Sequence, residues 1–227
     1  MVTSTFGPLA DPSVQRAKTW LCPELEIDQT SDFEATWERC ETLRGRRGLA
    51  PPYWANSWPG GQALARHILD NPSLVAGRRV LDLGAGSGLC AIAAAVRGAA
   101  HVLAADIDPL ACQAVATNAS NNGVKVSTVC ADLMDDAASS WDLILAADLW
   151  YERFLAQRVN AWLRQQNEAG VEVLIGDVGR AYLPRNGLVE LARHVMPAAS
   201  GFEREALTVG VVHRLVSTRV NTAGEAG

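Results

Sequence analysis

Apolar residues follow two patterns along this chain, one typical of strands and one typical of helices, and the two patterns succeed each other. From residue 79 onward, short runs rich in apolar residues are separated by stretches in which apolar residues recur every three or four positions. The apolar runs predict five strands, at Arg79–Leu83, His101–Asp106, Val124–Cys130, Leu143–Asp148 and Val171–Asp177. The helical patterns lie at about 88–97, 109–121, 152–167 and 187–196.

This order of elements predicts the fold class. Strands that alternate with helices pair in parallel, with helices on both faces of the sheet. Several of the predicted strands are continuously apolar, which fits this arrangement because neither face of such a sheet meets water. The final segments GFEREALTVG and VVHRLVSTRV predict two strands that turn near Gly210. We therefore expect a Rossmann-like α/β fold, with a mostly parallel seven-stranded sheet and a C-terminal antiparallel hairpin.

The region before residue 79 predicts a short extension and two more helices. Residues 1–30 lack periodicity and predict irregular structure. A first helix follows Asp32 as its N-cap, and a second runs from Gly60 until Asn71-Pro72 stops it. We expect an N-terminal extension at 1–50, one domain at 51–220 and a flexible tail at 221–227.

Charge and composition narrow the kinds of partner. The formal net charge of −5 argues against nonspecific phosphate binding, so we expect a small-molecule or protein substrate and no nucleic acid. No apolar run reaches the ~18 residues of a membrane span, and the N-terminus has no secretory pattern. The five cysteines form no CxxC pair and predict no metal site. We expect a cytoplasmic monomer with reduced thiols.

A glycine-rich turn follows the first apolar strand. VLDLGAGSG ends the strand in Gly84, Gly86 and Gly88, whose backbone can approach a ligand closely. Dinucleotide-binding oxidoreductases use a related turn with the spacing G-x-G-x-x-G, so they are the alternative. The spacing here, with Asp82 two residues before the first glycine, favours S-adenosylmethionine. A carboxylate suits the cationic methionine end of that cofactor and would repel a pyrophosphate.

Further aspartates follow the next two strands. Asp106 ends the second strand, where a carboxylate can accept both ribose hydroxyls. Asp108 competes for this role, but Asp108-Pro109 is typical of an N-cap and the first helical residue. Asp132 follows the third strand and is placed to accept from the adenine amino group, with Leu133 against the ring. The alternative for Asp132 is a loop residue that caps the next turn.

Segments beyond the glycine turn resemble one family. From Pro51 to about Arg180 the chain contains, in order, PYWANSWPGGQALARHILDNP, VLDLGAGSG, LAADIDP, WDLILAADLWY and VLIGDVGR. This order resembles the electron-transfer flavoprotein β-subunit lysine methyltransferases, which belong to the class I, seven-β-strand protein methyltransferases. The resemblance implies methyl transfer from S-adenosylmethionine to a protein lysine ε-amine. It also implies the electron-transfer flavoprotein β-subunit as the partner.

The resemblance also implies an acceptor site at the end of the fourth strand. Asp148 opens a motif similar to the family's acidic–x–aromatic–Tyr motif, and we expect it to recruit and orient the incoming ammonium. Trp150 and Tyr151 are expected to form an apolar or cation–π wall, with ordinary packing as the alternative. We expect Trp58 to cover the cofactor unless it fills the core. Asp177 and Arg180 are candidates for substrate contacts or for a simple ion pair.

Some positions depart from the family. Val178 stands where proline is usual, Trp150 stands where phenylalanine is common, and the regions before Pro51 and after Arg180 match weakly. Three other functions therefore stay open. They are a small-molecule N-methyltransferase with residues 32–47 as a lid, a lysine methyltransferase of a ribosomal or translation protein, and a non-catalytic binding module.

Overall fold

An antiparallel hairpin is the first element of the computed structural model, which describes residues 12–135, 141–197 and 207–217. The hairpin consists of β1 (Val14–Lys18) and β2 (Glu26–Thr30). The prediction of irregular structure over residues 1–30 is wrong for this part of the chain. Both strands have five residues; β1 is largely solvent-facing, and in β2 Ile27 alone is fully buried, so no apolar period marks them. Side-chain amides of Asn118 and Asn122 bind the backbone of β2 instead.

Five α-helices follow the predicted pattern. Asp32 caps the first by accepting from the backbone N–H of Ala35 at 3.0 Å, as expected. Asp108 likewise caps the fourth, where Oδ1 accepts from the N–H of Leu110 at 2.9 Å. The helices are α1 (Phe33–Leu43), α2 (Pro59–Asp70), α3 (Leu89–Val96), α4 (Pro109–Asn121) and α5 (Arg153–Glu168).

A seven-stranded sheet forms the centre of the fold. Its strands are β3 (Arg79–Leu83), β4 (His101–Asp106), β5 (Ser127–Cys130), β6 (Leu143–Ala147), β7 (Glu172–Asp177), β8 (Leu188–Pro197) and β9 (Leu207–Leu215). The strand order is β5-β4-β3-β6-β7-β9-β8. β3 to β7 pair in parallel, and β9 pairs antiparallel with both β7 and β8. The predicted fold class is confirmed.

The C-terminal hairpin uses other residues than the sequence predicts. Residues 187–196 form β8 rather than a helix, and Gly210 lies inside β9 rather than in a turn. A register shift between Glu190 and Ala192 interrupts the alternation of β8, which leaves its apolar residues at helix-like spacing. Gly210 is required because a Cβ there would lie 2.6 Å from the carbonyl oxygen of Pro59 in α2. Part of the predicted first strand, at 201–206, lies outside the described residues.

The core lies on both faces of the sheet and fixes its carboxyl edge. Leu143 and Leu145 of β6 pack into the cluster under α2 and α3, while Ile144 and Ala146 pack toward α5. This alternation buries β6 on both sides, as its apolar run predicts. The loops after the parallel strands therefore emerge together from a rigid edge.

Candidate active site

A cavity of about 350 Å³ lies at the carboxyl ends of the parallel strands. This edge is where open α/β sheets bind their ligands. The walls come from the loops after five parallel strands, from the segment between α1 and α2, and from side chains of α4 and α5. The residues singled out from the sequence that line the cavity are Trp58, Gly84, Gly86, Asp106, Asp108, Asp132, Leu133, Asp148, Tyr151 and Arg180.

The glycine turn contributes a floor without side chains. Gly84 has a φ of +65°, and a Cβ there would lie 2.6 Å from the Leu149 side chain. Gly86 faces open space, since the nearest atom to a Cβ there would be 4.0 Å away. Gly88 does not line the cavity. It is the left-handed N-cap of α3, where a Cβ would come within 3.0 Å of Val115.

Asp82 lies beneath the turn rather than in the cavity, which corrects its expected contact with the methionine end. Its carboxylate is buried, and Oδ2 accepts from the backbone N–H of Ala91 at 2.9 Å. That N–H lies in the first turn of α3, where backbone N–H groups have no hydrogen-bond partner within the helix. Burial raises the pKa of Asp82 to about 8. Asp82 therefore ties β3 to the start of α3 and shapes the turn from behind.

Asp106 stands at the edge of the cavity, at the end of β4. Its Oδ2 accepts from the N–H of Gly86, and its Oδ1 accepts from the N–H of Asp108, both at 2.9 Å. Burial raises the pKa of Asp106. The two bonds fix the carboxylate beside the glycine floor, and its remaining lone pairs suit a pair of ribose hydroxyls.

Asp132 caps the turn that follows it and also faces the cavity, where its contact with adenine stays a prediction. It lines the cavity, and its Oδ1 accepts from the N–H of Met134 at 3.0 Å, which caps the following turn. Its Oδ2 pairs with Arg158 of α5 at 2.7 Å. Leu133 and Ile107 add apolar walls nearby. The cavity wall here combines aliphatic side chains with a carboxylate, which is the composition predicted for an adenine site.

Asp148 has an unusual backbone conformation, and both its backbone and its side chain make hydrogen bonds. Its φ of +57° is the one positive value found among the described non-glycine residues. Three contacts hold it there: its N–H donates to the carbonyl of Gly176, Oδ2 accepts from the N–H of Gly61 at 2.7 Å, and Oδ1 pairs with Arg180 at 2.5 Å. Burial raises the pKa of Asp148, and Arg180 opposes that effect.

The WPGG segment explains how a helix reaches this carboxylate. Gly60 has no space for a side chain, because a Cβ would lie 2.5 Å from the carbonyl oxygen of Gly176 and 2.7 Å from Oδ2 of Asp148. Pro59 opens α2, and its N-cap Trp58 makes no side-chain capping bond. The N–H of Gly61 is thus an end group of the helix that Asp148 satisfies.

Aromatic side chains form the wall beside Asp148. Tyr53 lies 5.3 Å from Tyr151 and 6.0 Å from Trp58 between ring centroids. The indole N–H of Trp58 donates to the carbonyl of Tyr53 at 2.9 Å, which holds the Trp58 ring beside Tyr53. Burial raises the pKa of Tyr151 to about 12, so its hydroxyl stays protonated. Tyr53 and Tyr151 remain 37% and 48% exposed, so this wall is open to solvent.

Trp150 does not belong to this wall, contrary to its expected role. Its side chain is fully buried in the core under α5, and its indole N–H donates to Oδ1 of Asn160 at 2.7 Å. Tyr151, the next residue, lines the cavity instead. Trp150 therefore packs in the core, which was the alternative to a place in the acceptor wall.

Tyr53, Leu149 and Arg158 line the cavity although sequence reasoning did not assign them a role. The aromatic spacing of YWANSW is the signal that could have included Tyr53. Nothing in the local sequence marks Arg158, which reaches the cavity from an amphipathic helix. Among the described residues, no group of three or more His, Cys, Asp or Glu side chains could hold a metal ion.

Solved structures share this architecture. Pyrococcus abyssi tRNA (uracil-54, C5)-methyltransferase in complex with S-adenosyl-L-homocysteine matches with a TM-score of 0.52 and 16% identity, over 90% of this chain and 44% of that chain. TrmN from Thermus thermophilus matches with a TM-score of 0.51 and 21% identity, over 75% and 50%. These likenesses show that the chain has the class I methyltransferase fold.

Sequence relatives identify the family. The profile of ribosomal protein L11 methyltransferase (PrmA) matches residues 63–167. Electron transfer flavoprotein beta subunit lysine methyltransferase of Danio rerio is 44% identical over 72% of this chain and 66% of its own length. The Mus musculus protein of that name is 38% identical over 92% and 86%. The chain belongs to the electron-transfer flavoprotein β-subunit lysine methyltransferase family and is a protein-lysine methyltransferase.

Proposed function

We propose that this enzyme methylates a lysine of the electron-transfer flavoprotein β-subunit. The observation that carries the proposal is the near full-length similarity to relatives named for that activity, from mouse and rat among others. The contact between Gly61 and Asp148 adds support, because it joins the WPGG and DLWY segments in one acceptor site.

The residues of the cavity divide into a cofactor end and an acceptor end. Gly84 and Gly86 would face the cofactor with their backbone, Asp106 would accept from its ribose, and Asp132 with Leu133 would hold its adenine. When bound, S-adenosylmethionine would supply an electrophilic methyl group: the lysine nitrogen lone pair would form the new nitrogen–carbon bond, and the carbon–sulfur electrons would leave with the neutral thioether.

The acceptor end has to present a lysine nitrogen as a neutral amine. A lysine in water has a pKa near ~10.4, so its proton must leave before the nitrogen attacks. Asp148 orients the nitrogen by accepting one N–H, and the bound acceptor protein would cover the exposed rings of Tyr53 and Tyr151 and so exclude water. Exclusion of water favours the neutral amine. Alignment of the amine with the methyl carbon supplies much of the rate.

Other acceptors have weaker support. Ribosomal protein L11 methyltransferase of Pelotomaculum thermopropionicum is 49% identical, but over 31% of this chain and 23% of its own length. A small-molecule acceptor fits less well, because Tyr53 and Tyr151 are partly exposed beside the cavity. Nucleic acid is disfavoured by the net charge of −5.

We further propose that the enzyme acts as a monomer in the cytoplasm. All five cysteines are free, which fits a reducing compartment. Within the described part of the chain, no helix has the length and apolarity needed to cross a bilayer.

Labelling in extract tests the acceptor without prior choice. Purified enzyme and methyl-labelled S-adenosylmethionine are added to extract of cells that lack the enzyme, and labelled species are identified by mass spectrometry. We expect the electron-transfer flavoprotein β-subunit to carry the label on lysine. Label confined to small metabolites contradicts the proposal, and label on a ribosomal protein supports the second candidate.

A further inference from the structure

Arg180 lies beside Asp148 at the acceptor end of the cavity. Its Nη1 donates to Oδ1 of Asp148 at 2.5 Å and to Oδ2 of Asp177 at 2.9 Å. The arginine side chain is 20% exposed, whereas those of Asp148 and Asp177 are 8% and 0% exposed. Charges this deep are weakly screened, so the guanidinium strongly affects the charge that Asp148 presents to the cavity.

Asp177 holds Arg180 from behind. Its Oδ1 accepts from the backbone N–H groups of Gly179 at 2.8 Å and of Arg180 at 2.7 Å. Asp177 does not itself line the cavity, unlike Arg180 and Asp148. The loop after β7 is therefore fixed by a buried carboxylate, and the guanidinium has one defined location next to the acceptor site.

In this arrangement Asp148 can still accept a hydrogen bond from the lysine amine, but it is a poor counter-ion for a lysine ammonium group. Gly61 occupies one lone pair of Oδ2, and Arg180 occupies one of Oδ1, so each oxygen keeps another. An isolated carboxylate would favour the ammonium form of an adjacent lysine. Arg180 balances that charge, so Asp148 can orient the amine while the proton leaves to water.

We propose that Arg180 is a positioning residue of the reaction: it neutralises Asp148, so that the acceptor lysine reacts as a free amine and is not retained as an ammonium ion. This assignment rests on the proposed lysine acceptor. The proton passes to water at the cavity mouth, and the nitrogen keeps the lone pair that forms the new nitrogen–carbon bond.

The tyrosine hydroxyls and the cysteine thiol around the acceptor site keep one state near neutral pH. Burial raises the pKa of Tyr53 and of Tyr151, so both hydroxyls stay protonated. Burial also raises the pKa of the Cys90 thiol well above its ordinary value. Asp106 and Glu152 are the carboxyls that act on Tyr151, and backbone N–H bonds lower the pKa of Glu152. Beside these groups, the lysine amine is the one expected to titrate in alkaline solution, whereas Asp82, with a pKa of about 8, lies beneath the glycine turn and is present in wild type and variants alike.

Two variants separate charge from shape. Arg180→Gln keeps a hydrogen-bond donor and loses the charge, whereas Arg180→Lys keeps the charge. Arg66→Gln is the matched control, because Arg66 is 17% exposed, pairs with two carboxylates, Glu24 and Asp70, and lies outside the cavity lining. The experiment measures kcat and KM for the acceptor protein from neutral pH to about pH 10, near the pKa of lysine.

We expect Arg180→Gln to lower kcat about tenfold at neutral pH and to recover toward the wild-type rate in alkaline solution. The rising limb of its kcat profile should shift upward by about one pH unit, which corresponds to a tenfold effect. Arg180→Lys should keep the limb near the wild-type position, and Arg66→Gln should not move it. KM should change less than kcat, because the charge acts on the bound amine.

An equal loss of rate at every pH, or an unshifted limb in Arg180→Gln, would overturn the proposal and make Arg180 a structural brace. Binding of S-adenosylhomocysteine, measured by calorimetry, checks that each variant is folded. If Arg180→Gln does not bind it, Arg180→Met is measured and judged by the same shift. A wild-type enzyme that labels another protein lysine still permits the comparison, whereas one that labels no protein lysine contradicts the proposed function itself.

Discussion

The backbone N–H of Gly61 donates to Oδ2 of Asp148 at 2.7 Å, across 87 positions of the chain. This bond joins the first turn of α2 to the end of β6. The positive end of a helix favours a carboxylate, and the N–H has no partner within its own helix. Asp148 therefore caps α2 and faces the acceptor end of the cavity. This side chain therefore stabilises the start of α2 and, in the proposed function, also orients the acceptor.

Gly60 and Gly61 should respond differently to alanine. Gly60→Ala places a Cβ 2.5 Å from the carbonyl oxygen of Gly176, so we expect a loss of about 1–3 kcal/mol in the free energy of unfolding and a large loss of activity. Gly61→Ala is the control, because its nearest contact is 3.8 Å and its N–H is retained. Denaturant unfolding and methyl-transfer rates measure both. Equal behaviour of the two variants argues against the close approach of α2.

Asp106 should contribute to cofactor affinity. Asp106→Asn weakens hydrogen bonds to ribose hydroxyls, and bonds to charged groups contribute about 1.5–3 kcal/mol, so we expect at least tenfold weaker binding of S-adenosylhomocysteine. Asp108→Ala removes the cap of α4, which should lower the free energy of unfolding by about 1 kcal/mol. Calorimetry should show a smaller loss of affinity for Asp108→Ala. The reverse order would assign the ribose to Asp108.

Asp82 should make stability depend on pH. Burial raises its pKa from 3.8 to about 8, so between these values the folded protein holds a proton that the unfolded chain has released. The contribution of Asp82 to the free energy of unfolding therefore falls as pH rises toward about 8 and levels off above it.

Asp82→Asn removes this contribution and keeps an oxygen that can accept from Ala91. We expect the difference in unfolding free energy, wild type minus variant, to decrease from acidic pH toward about pH 8. Denaturant titrations at a series of pH values measure it, and Asp106 and Asp148 titrate in both proteins. Parallel curves would show that Asp82 ionises as an ordinary carboxyl.

Trp150 and Tyr151 should separate stability from acceptor binding. Trp150→Phe loses the bond to Asn160 in the core, so we expect about 1–3 kcal/mol lower unfolding free energy and a nearly unchanged kcat. Tyr151→Ala removes part of the half-exposed wall and should raise KM for the acceptor protein with a smaller effect on stability. A raised KM in Trp150→Phe, with Tyr151→Ala unaffected, would reverse the assignment.

The parts of the site that follow directly from strand ends were predictable from the sequence. Asp106 and Asp148 come at the carboxyl ends of apolar strands, which meet at one edge of a parallel sheet, and both line the cavity. Asp82 precedes its strand end, and its side chain points beneath the turn. The same local motif therefore does not reveal which of its residues touch the ligand.

Longer-range contacts decided what the sequence could not show. The bulge in β8 gave its apolar residues a helical spacing, and only pairing with β9 defines it as a strand. Trp150 and Tyr151 are adjacent aromatics of one motif, yet the packing of α5 buries the first and leaves the second in the cavity. The ion pair between Arg180 and Asp148 joins residues 32 positions apart, and no local sequence pattern predicts it.

The central claim is tested most directly by intact-mass measurement of purified electron-transfer flavoprotein β-subunit after incubation with the enzyme and S-adenosylmethionine. We expect mass increments of whole methyl groups, with peptide fragmentation placing them on lysine, and a much lower yield with Asp106→Asn at limiting cofactor. If the enzyme binds S-adenosylhomocysteine but the β-subunit stays unmodified, the account is contradicted and the acceptor is a different molecule.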